Sequence, residues 1–140
     1  MINLEPYIDK VYEIIGAALD VHRELNAGLL EPVYNEALCI ELEEYGVYAE
    51  PEVELPVYYK GKLLNKKYRM DIVCGEVIIE LKAVSEILPE HRAQLFNYLR
   101  LTKKPVGLLI NFGEKHLHAE RYYFDEPSNM VRLFHADGTF

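Results

Sequence analysis

Two strand-like segments separated by only two residues constrain the fold of this chain more than any other feature. Residues 68–74 and 77–82 are rich in β-branched and other apolar side chains, and Gly75-Glu76 lies between them. Glycine at the first position of a two-residue connection favours a type II′ β-hairpin, and the turn fixes the register of the two strands. The sequence therefore predicts an antiparallel pair in which Asp71 lies opposite Glu80.

The predicted pairing brings two acidic side chains together. Opposed residues in a hairpin have Cβ atoms about 4.5–5.5 Å apart, and like charges at that distance destabilise a sheet. A bound cation would remove the repulsion, and Mg²⁺ commonly binds one or two carboxylates while it keeps several waters. Because side chains alternate along a strand, Lys82 lies on the same face as Glu80. The pattern predicts two carboxylates and an ammonium group at one place.

The remaining sequence predicts an α/β (α+β mixed sheet) fold with helices flanking the sheet. Apolar residues spaced by three and four indicate helices, and alternation or short apolar runs indicate strands. Residues 113–140 are expected to add only an edge strand and a tail to which no regular structure is assigned. The predicted elements are helices over 7–25, 31–45 and 89–101, strands over 53–59, 68–74, 77–82 and 106–111, a turn at 60–61 that leads into a returning strand, and the edge strand over 117–124.

Length and composition are those of one globular domain. The chain has 140 residues, of which 50% are apolar and 27% charged, so we expect a single domain over residues 1–140. No apolar stretch approaches the roughly 20 residues of a membrane helix, and residues 1–10 do not resemble a signal peptide, which predicts a cytoplasmic protein. Cys39 and Cys74 lie in unrelated segments and are interpreted as small buried residues.

The charge is distributed unevenly along the chain. The formal net charge is -8, which by itself argues against a polyanionic partner. Residues 1–58 hold 2 basic and 13 acidic side chains, whereas residues 59–104 hold 10 and 5, a local excess of 10 − 5 = +5. The basic excess coincides with the segment that carries the carboxylate pair. A phosphate-binding surface and an ordinary solvated face both remain open.

Three motifs in the sequence resemble those of a known family. Asp71 followed by Glu80-Leu81-Lys82 resembles the core motif of the PD-(D/E)xK nuclease superfamily, with Met70 where that motif often has proline. Residues 28–34, Gly-Leu-Leu-Glu-Pro-Val-Tyr, match the pattern of its GxxExxY protein family. Residues 94–98, Gln-Leu-Phe-Asn-Tyr, are similar to the Gln-x-x-x-Tyr helix of the exonuclease-like branch. The resemblance covers about residues 7–112.

The resemblance implies a restriction-endonuclease-like αβββαβ core and a site that binds Mg²⁺ or Mn²⁺. Asp71 and Glu80 would bind the metal with the carbonyl of Leu81, and Glu31 would join them from the second helix. Lys82 would assist hydrolysis. The residues implied to be catalytic are Asp71, Glu80, Lys82 and Gln94, with Tyr98 and His91 as secondary candidates.

Several of these residues also have structural interpretations. An acidic residue such as Glu31 in the first turn of a helix is favoured by the helix dipole alone. His22 continues an apolar stripe and is interpreted as a core histidine, and Tyr34 is interpreted as a packing residue. His91 shares a helix face with Gln94 and would reach either phosphate or solvent.

The sequence thus leads to two functional hypotheses. The first is a metal-dependent phosphodiesterase that hydrolyses DNA in preference to RNA. The second is a non-catalytic module that keeps the nuclease fold and binds nucleic acid or a protein partner, which the acidic first third favours. A homodimer formed through Tyr58 and Tyr59 is compatible with either hypothesis.

Overall fold

The computed structural model describes residues 2–140 of the chain, and this part contains three helices and six strands. Each helix has a proline in its first turn, where a backbone N–H would have no acceptor within the helix, so the N–H that proline lacks costs no hydrogen bond. No helix in this part of the chain is long and apolar enough to cross a membrane. In chain order the elements are α1 (Glu5–Leu25), α2 (Glu31–Glu44), β1 (Glu50–Tyr59), β2 (Lys62–Cys74), β3 (Val77–Lys82), α3 (Pro89–Thr102), β4 (Val106–Asn111), β5 (His118–Asp125) and β6 (Met130–Leu133).

The hairpin between β2 and β3 has the predicted turn and register. Gly75 has a φ of +59°, a value that glycine adopts without the penalty of a side chain. Cys74 pairs with Val77, and the ladder continues to the pair of Ile72 and Ile79. The ladder ends at this pair and does not include the predicted pair of Asp71 and Glu80; the Asp71 side chain instead accepts a hydrogen bond from the N–H of Leu81.

The six strands form one mixed sheet in the order β1-β2-β3-β4-β5-β6. β3 and β4 are parallel and are joined through α3, whereas every other neighbouring pair is antiparallel. The mixed sheet with flanking helices confirms the predicted fold class.

The two faces of β3 contribute to different hydrophobic clusters, as the alternation predicts. Val77, Ile79 and Leu81 belong to the cluster that includes residues of α1 and α2. Ile78 belongs to the cluster that includes Leu95, Tyr98 and Leu99 of α3. Glu80 and Lys82 alternate with Ile79 and Leu81, so both lie on the face of the sheet that α3 covers. The functional side chains therefore lie between β3 and α3.

The end of the chain differs from the prediction. Residues 118–125 form the predicted strand, but β5 is not an edge strand because β6 pairs with it from Asp125–Met130 to Tyr122–Leu133. Met130 and Leu133 are exposed, so this short strand has no alternating pattern of buried residues by which the sequence would reveal it. β1 and β6 form the two edges of the sheet.

β1 and β2 form a long hairpin at the edge of the sheet opposite β6. Residues 53–70, which we call the hairpin arm, pair only with each other, and residues 62–69 are all exposed. The turn at Lys60 and Gly61 lies where the sequence predicts it, with positive φ at both residues. The strand predicted to return from this turn is present, and it continues into the segment predicted as a separate strand over 68–74, so that β2 runs from Lys62 to Cys74. Its register with β1 is irregular between Pro56 and Tyr58. The hairpin arm lies beside α3, because Tyr68 of the arm packs edge to face against Tyr98 of that helix.

Candidate metal and phosphate site

Glu80 is the most unusual side chain of the candidate site. It is only 2% exposed, and its Oε1 atom has no hydrogen-bond partner among residues 2–140. Burial is the main cause that raises the pKa of Glu80 to about 9, and the adjacent carboxylate of Asp71 raises it further. An unpartnered buried carboxylate oxygen is costly for a fold, so it indicates a place where a ligand compensates the cost.

Asp71 is held against β3 through its side chain. Its Oδ2 atom accepts a hydrogen bond of 2.8 Å from the N–H of Leu81, and its main-chain carbonyl accepts one of 3.1 Å from the Asn35 amide. The N–H and C=O of one strand residue point to the same side. The carbonyl of Leu81 therefore points towards β2 and Asp71, where the resemblance implies a third oxygen ligand.

Asn35 is a site-positioning residue that the sequence analysis missed. It is buried and holds the main chain of β2 at Asp71. The signal was present in the sequence, because an amide at position 35 interrupts the buried face that Leu38 and Leu42 continue at helical spacing. A buried polar residue on an apolar helix face usually has a specific partner.

Lys82 connects the carboxylates to α3. Its Nζ atom lies 3.4 Å from Oε2 of Glu80 and donates a hydrogen bond of 3.0 Å to Oε1 of Gln94. The Gln94 amide in turn donates to the Tyr98 hydroxyl at 2.9 Å, and that hydroxyl donates to the carbonyl of Arg69 at 3.1 Å. Burial raises the pKa of Tyr98 to about 12, so the hydroxyl stays a donor. The chain of bonds fixes Gln94 and Lys82 relative to both strands.

Glu31 lies in the first turn of α2 and interacts with the same charges. Burial is the main cause that raises its pKa, followed by the effects of Lys82, which lowers it, and Asp71, which raises it. Across residues 2–140, however, no three His, Cys, Asp or Glu side chains come together as a group that could hold a metal ion. The charges of Asp71 and Lys82 therefore act on Glu31, but Glu31 forms no closed three-acid cluster with Asp71 and Glu80.

His91 caps a helix, and it also lies close enough to Glu31 to oppose the rise in the pKa of that carboxyl. Its Nδ1 atom accepts a 2.9 Å hydrogen bond from the N–H of Leu88, immediately before α3. Acceptance at Nδ1 leaves the other ring nitrogen, Nε2, as the N–H donor. His91 is thus suited to donate a hydrogen bond from Nε2, and its Nδ1 atom is not available as a base.

The structural interpretations of His22 and Tyr34 are confirmed. His22 is buried, and its Nε2 atom lies 2.9 Å from the carbonyl of Glu114. Tyr34 is fully buried and stacks on Phe112, with ring centroids 4.6 Å apart, while its hydroxyl bonds to the carbonyl of Asn26. Neither side chain is directed at the carboxylate pair by these contacts.

A second polar cluster lies on the same sheet face, and sequence reasoning did not identify it. Glu120 is in the same row of the sheet as Glu80, two strands away, a separation of roughly 10 Å. Arg92 of α3 makes two hydrogen bonds of 2.8 Å to Glu120, and His118 and Tyr122 also bond to it. These donors lower the pKa of Glu120 to about 2. Arg92 is therefore neutralised within the fold.

The donor atoms of the site fit a hard divalent cation. Two carboxylates and a main-chain carbonyl are oxygen ligands, which Mg²⁺ and Mn²⁺ prefer over nitrogen and sulphur. The unpartnered Oε1 of Glu80 is the observation that tests this fit, because a cation would supply its missing partner. Cys39 and Cys74 are free thiols, and Cys74 is buried in the cluster on the opposite face of the sheet.

Comparison with known proteins agrees with this geometry. The crystal structure of SSO0001 has the same fold, with a TM-score of 0.56 and 22% sequence identity over 88% of this chain and 63% of that chain. The present chain therefore spans less than two thirds of the length of that structure. No curated protein matches the chain significantly. The family profile of the PD-(D/E)XK nuclease superfamily, whose members typically depend on divalent metals, matches residues 8–122. The chain therefore belongs to the PD-(D/E)XK nuclease superfamily.

Proposed function

We propose that this protein is a nuclease that hydrolyses phosphodiester bonds in DNA, in preference to RNA, with Mg²⁺ or Mn²⁺ as its cofactor. The supporting observation is the buried carboxylate of Glu80, which has an unpartnered oxygen beside Asp71 and an ammonium group 3.4 Å away. Asp71, Glu80 and the carbonyl of Leu81 would hold the ion, and Glu31 would contribute from α2, directly or through water.

The chemistry is divided between the cofactor and the side chains of the chain. When bound, a divalent cation supplies Lewis acidity and lowers the pKa of a coordinated water. Lys82 supplies a positive charge and hydrogen-bond donors to a non-bridging phosphate oxygen, which gains negative charge as the water oxygen bonds to phosphorus. The attacking water loses a proton to solvent, the bond between phosphorus and the leaving oxygen breaks, and the leaving oxygen takes up a proton from solvent.

Gln94 and Tyr98 act on Lys82 by holding it in place. Gln94 accepts from the Lys82 ammonium at 3.0 Å and is itself fixed by the Tyr98 hydroxyl at 2.9 Å. A fixed ammonium loses little freedom when the phosphate arrives, which favours the transition state. Gln94 is proposed to contact the scissile phosphate directly as well, because it is only half-buried and also lines a recess beside the site.

The finer family assignment is also part of the proposal. We assign the chain to the GxxExxY group because the charges of Asp71 and Lys82 act on Glu31 and because Tyr34 anchors the loop before α2 through Asn26. We propose one domain over residues 1–140. A homodimer through Tyr58 and Tyr59, which are exposed on the hairpin arm, would be detected by light scattering as twice the mass of one chain.

Cleavage assays with matched variants test the proposed activity. Single-stranded DNA, duplex DNA and RNA are incubated with the purified protein in Mn²⁺, in Mg²⁺ and in chelator. We expect cleavage of DNA that needs the metal and disappears in Asp71→Asn. Asp9→Asn, the same exchange at an exposed position on α1, should retain full activity. If the activity of the wild type survives in Asp71→Asn, the proposed site is wrong.

The acidic first third supports a second candidate, a non-catalytic binding module. Residues 1–58 hold 13 acidic and 2 basic side chains, which is unfavourable for wrapping a nucleic acid around the whole molecule. Binding of DNA or of a protein that persists in chelator and in Lys82→Ala, without products, would select this candidate over the nuclease.

A further inference from the structure

A recess between the hairpin arm and α3 adjoins the candidate site. It has a volume of about 380 Å³ and shares Gln94 and Tyr98 with the hydrogen-bond chain that holds Lys82. The recess therefore begins where the proposed scissile phosphate lies and continues away from the carboxylates. Its other walls are Val57 and Tyr68 of the hairpin arm and Asn97, Arg100 and Leu101 of α3.

Tyr68 presents an aromatic ring to this recess in a fixed orientation. Its ring packs edge to face against Tyr98, with centroids 6.2 Å apart and an angle of 63° between the planes. Tyr98 is itself buried and hydrogen-bonded to the carbonyl of Arg69, so it is a rigid support. Tyr68 remains 42% exposed, although the buried Tyr98 is its neighbour. An ordered, partly exposed aromatic ring at the wall of a recess is suited to stack on another flat ring.

The charges around the recess favour a polyanion. Arg100 lines the recess, and within residues 2–140 no carboxylate lies within 4.0 Å of its guanidinium. Its one hydrogen bond is a 3.3 Å contact from Nε to the carbonyl of Asn129, which leaves its terminal nitrogens as donors. By contrast, Arg69 lies within 3.8 Å of Glu52. Arg100 is thus the cation at the recess whose charge the fold leaves uncompensated.

We propose that this recess binds a nucleobase of the substrate, stacked on Tyr68, with the adjoining phosphate held by Arg100. The inference rests on the proposed nuclease function, because Gln94 would link the base to the neighbouring scissile phosphate. Both faces of a base within a duplex are covered by its neighbours, so a base that stacks on Tyr68 has left the helix. The substrate is therefore single-stranded at the nucleotide next to the cleaved bond.

Fluorescence anisotropy tests the inference without any cleavage. Fluorescein-labelled single-stranded oligothymidylate, an abasic oligomer of the same length and a duplex are titrated with the full chain in chelator. Stacking of one base typically changes affinity by about 5- to 150-fold. We expect the wild type to bind oligothymidylate at least about 5-fold more tightly than either other ligand. Tyr68→Ala should remove this preference, whereas Tyr68→Phe, which keeps the ring, should retain it.

Two controls make the result decisive. Tyr12→Ala removes an exposed tyrosine from α1, on the other side of the sheet, and should leave the preference unchanged. The comparison of ligands on the wild type needs no variant, so it remains informative if Tyr68→Ala fails to fold. Equal affinity of the wild type for oligothymidylate and the abasic oligomer would overturn the inference, as would a preference that Tyr68→Ala retains.

The same protein preparation separates this inference from the proposed activity. Base-dependent binding without metal-dependent cleavage would support the recess and contradict the nuclease. Cleavage together with equal binding of the two single-stranded ligands would support the nuclease and contradict the recess. Asp71→Asn, which should not cleave, is expected to keep the preference for bases, because Tyr68 and Arg100 are unchanged.

Discussion

At the scale of single residues, Glu80 is a side chain whose placement is costly for the fold. Its carboxylate is buried, lies next to Asp71, and leaves one oxygen without a partner. Removing an ionised carboxylate from water costs several kcal/mol in a folded protein, and a like charge nearby adds to that cost. Lys82 compensates only in part, at a distance of 3.4 Å. Such an arrangement is better explained by a ligand than by the stability of the sheet.

The first prediction follows from this conflict. Glu80→Gln keeps the shape of the side chain and resembles the protonated acid that the raised pKa favours in the metal-free protein, so that protein should be as stable as the wild type or up to about 1 kcal/mol more stable. Mn²⁺ should raise the melting temperature of the wild type but not of the variant, because binding to the folded state stabilises it. Loss of a ligand should also lower cleavage on the order of 100-fold or more.

Differential scanning fluorimetry with and without Mn²⁺ measures this effect directly. Glu13→Gln, an identical exchange at an exposed position of α1, is the matched control and should respond to Mn²⁺ like the wild type. A variant at position 80 that Mn²⁺ still stabilises to the full extent would contradict the assignment of Glu80 as a ligand.

The sequence predicted single residues well where one local rule decides their environment. Gly75 has the positive φ that its turn requires, and the burial of His22 follows from the apolar stripe that it continues. Two residues show what the sequence alone does not contain. Asn35 and His91 owe their roles to the main-chain groups of Asp71 and Leu88, and such contacts depend on tertiary packing or local capping rather than on residue type.

At the scale of elements, α3 is attached to the sheet on both sides of the candidate site. Gln94 and Tyr98 connect it to β3 and β2, and Arg92 connects it to β5 through two hydrogen bonds to Glu120. Because α3 carries part of the site, the position of Gln94 depends on both attachments. The contribution of the Arg92–Glu120 contact should therefore be measurable in the free energy of unfolding of the whole domain.

The pH dependence of unfolding tests the attachment to β5. The pKa of Glu120 is lowered to about 2 from an ordinary value near 4.5, first by Arg92 and also by Tyr122 and His118. A lowered pKa in the folded state adds stability above the unfolded value, and this stability is lost as the pH falls towards 2. After allowance for solvent at Arg92, whose side chain is 34% exposed, we expect a contribution of about 2 kcal/mol.

Urea unfolding between pH 6 and pH 2 measures this contribution. Glu120→Gln should be about 2 kcal/mol less stable than the wild type at pH 6, and the two proteins should converge as the pH approaches 2. A difference that is the same at both ends of the range would mean that the charge of Glu120 does not stabilise the fold.

Two glycines near the site provide a matched test of how elements are packed. A Cβ atom at Gly113 would lie 2.3 Å from the carbonyl oxygen of Val84, in the main chain that follows β3. A Cβ atom at Gly107 would meet only the ends of the Leu99 and Leu95 side chains, at 2.9 and 3.0 Å. We expect Gly113→Ala to cost about 3 kcal/mol and to lower cleavage, and Gly107→Ala to cost about 1 kcal/mol. Denaturant unfolding of both variants would show the order; equal losses would contradict it.

The elements that the sequence predicted best are those with one decisive pattern. β3 and β4 have the predicted bounds because each is a short apolar run between turn residues. The sequence did not reveal β6, and it did not show that residues 62–67, in the strand predicted to return from the turn, are continuous with residues 68–74. Their residues are mostly exposed, and their strand structure depends on pairing with β5 and β1 rather than on a buried face.

At the scale of the whole molecule, the uneven charge restricts where a polyanion would bind. The chain has a net charge of -8, but residues 59–104 have an excess of five basic side chains. Several of these are neutralised in the fold, since Arg92 bonds to Glu120, Arg69 lies near Glu52 and Lys67 lies near Glu54. Local charge balance, rather than the number of basic residues, therefore determines which cations contact phosphates.

The salt dependence of DNA binding should distinguish two arginines, Arg100 and Arg69, that belong to the same basic segment of the sequence. For single strands, each phosphate contact contributes roughly 0.7 to the slope of log affinity against log salt. Arg100→Gln removes an uncompensated cation from the recess and should reduce that slope by about 0.7. Arg69→Gln removes a cation that has Glu52 3.8 Å away and lies on the opposite face of β2 from Tyr68. It should change the slope little, although both variants change the net charge by one.

Anisotropy titrations of single-stranded DNA at several salt concentrations measure both slopes. Equal changes would mean that the net charge, and not the placement of Arg100 beside the recess, governs binding.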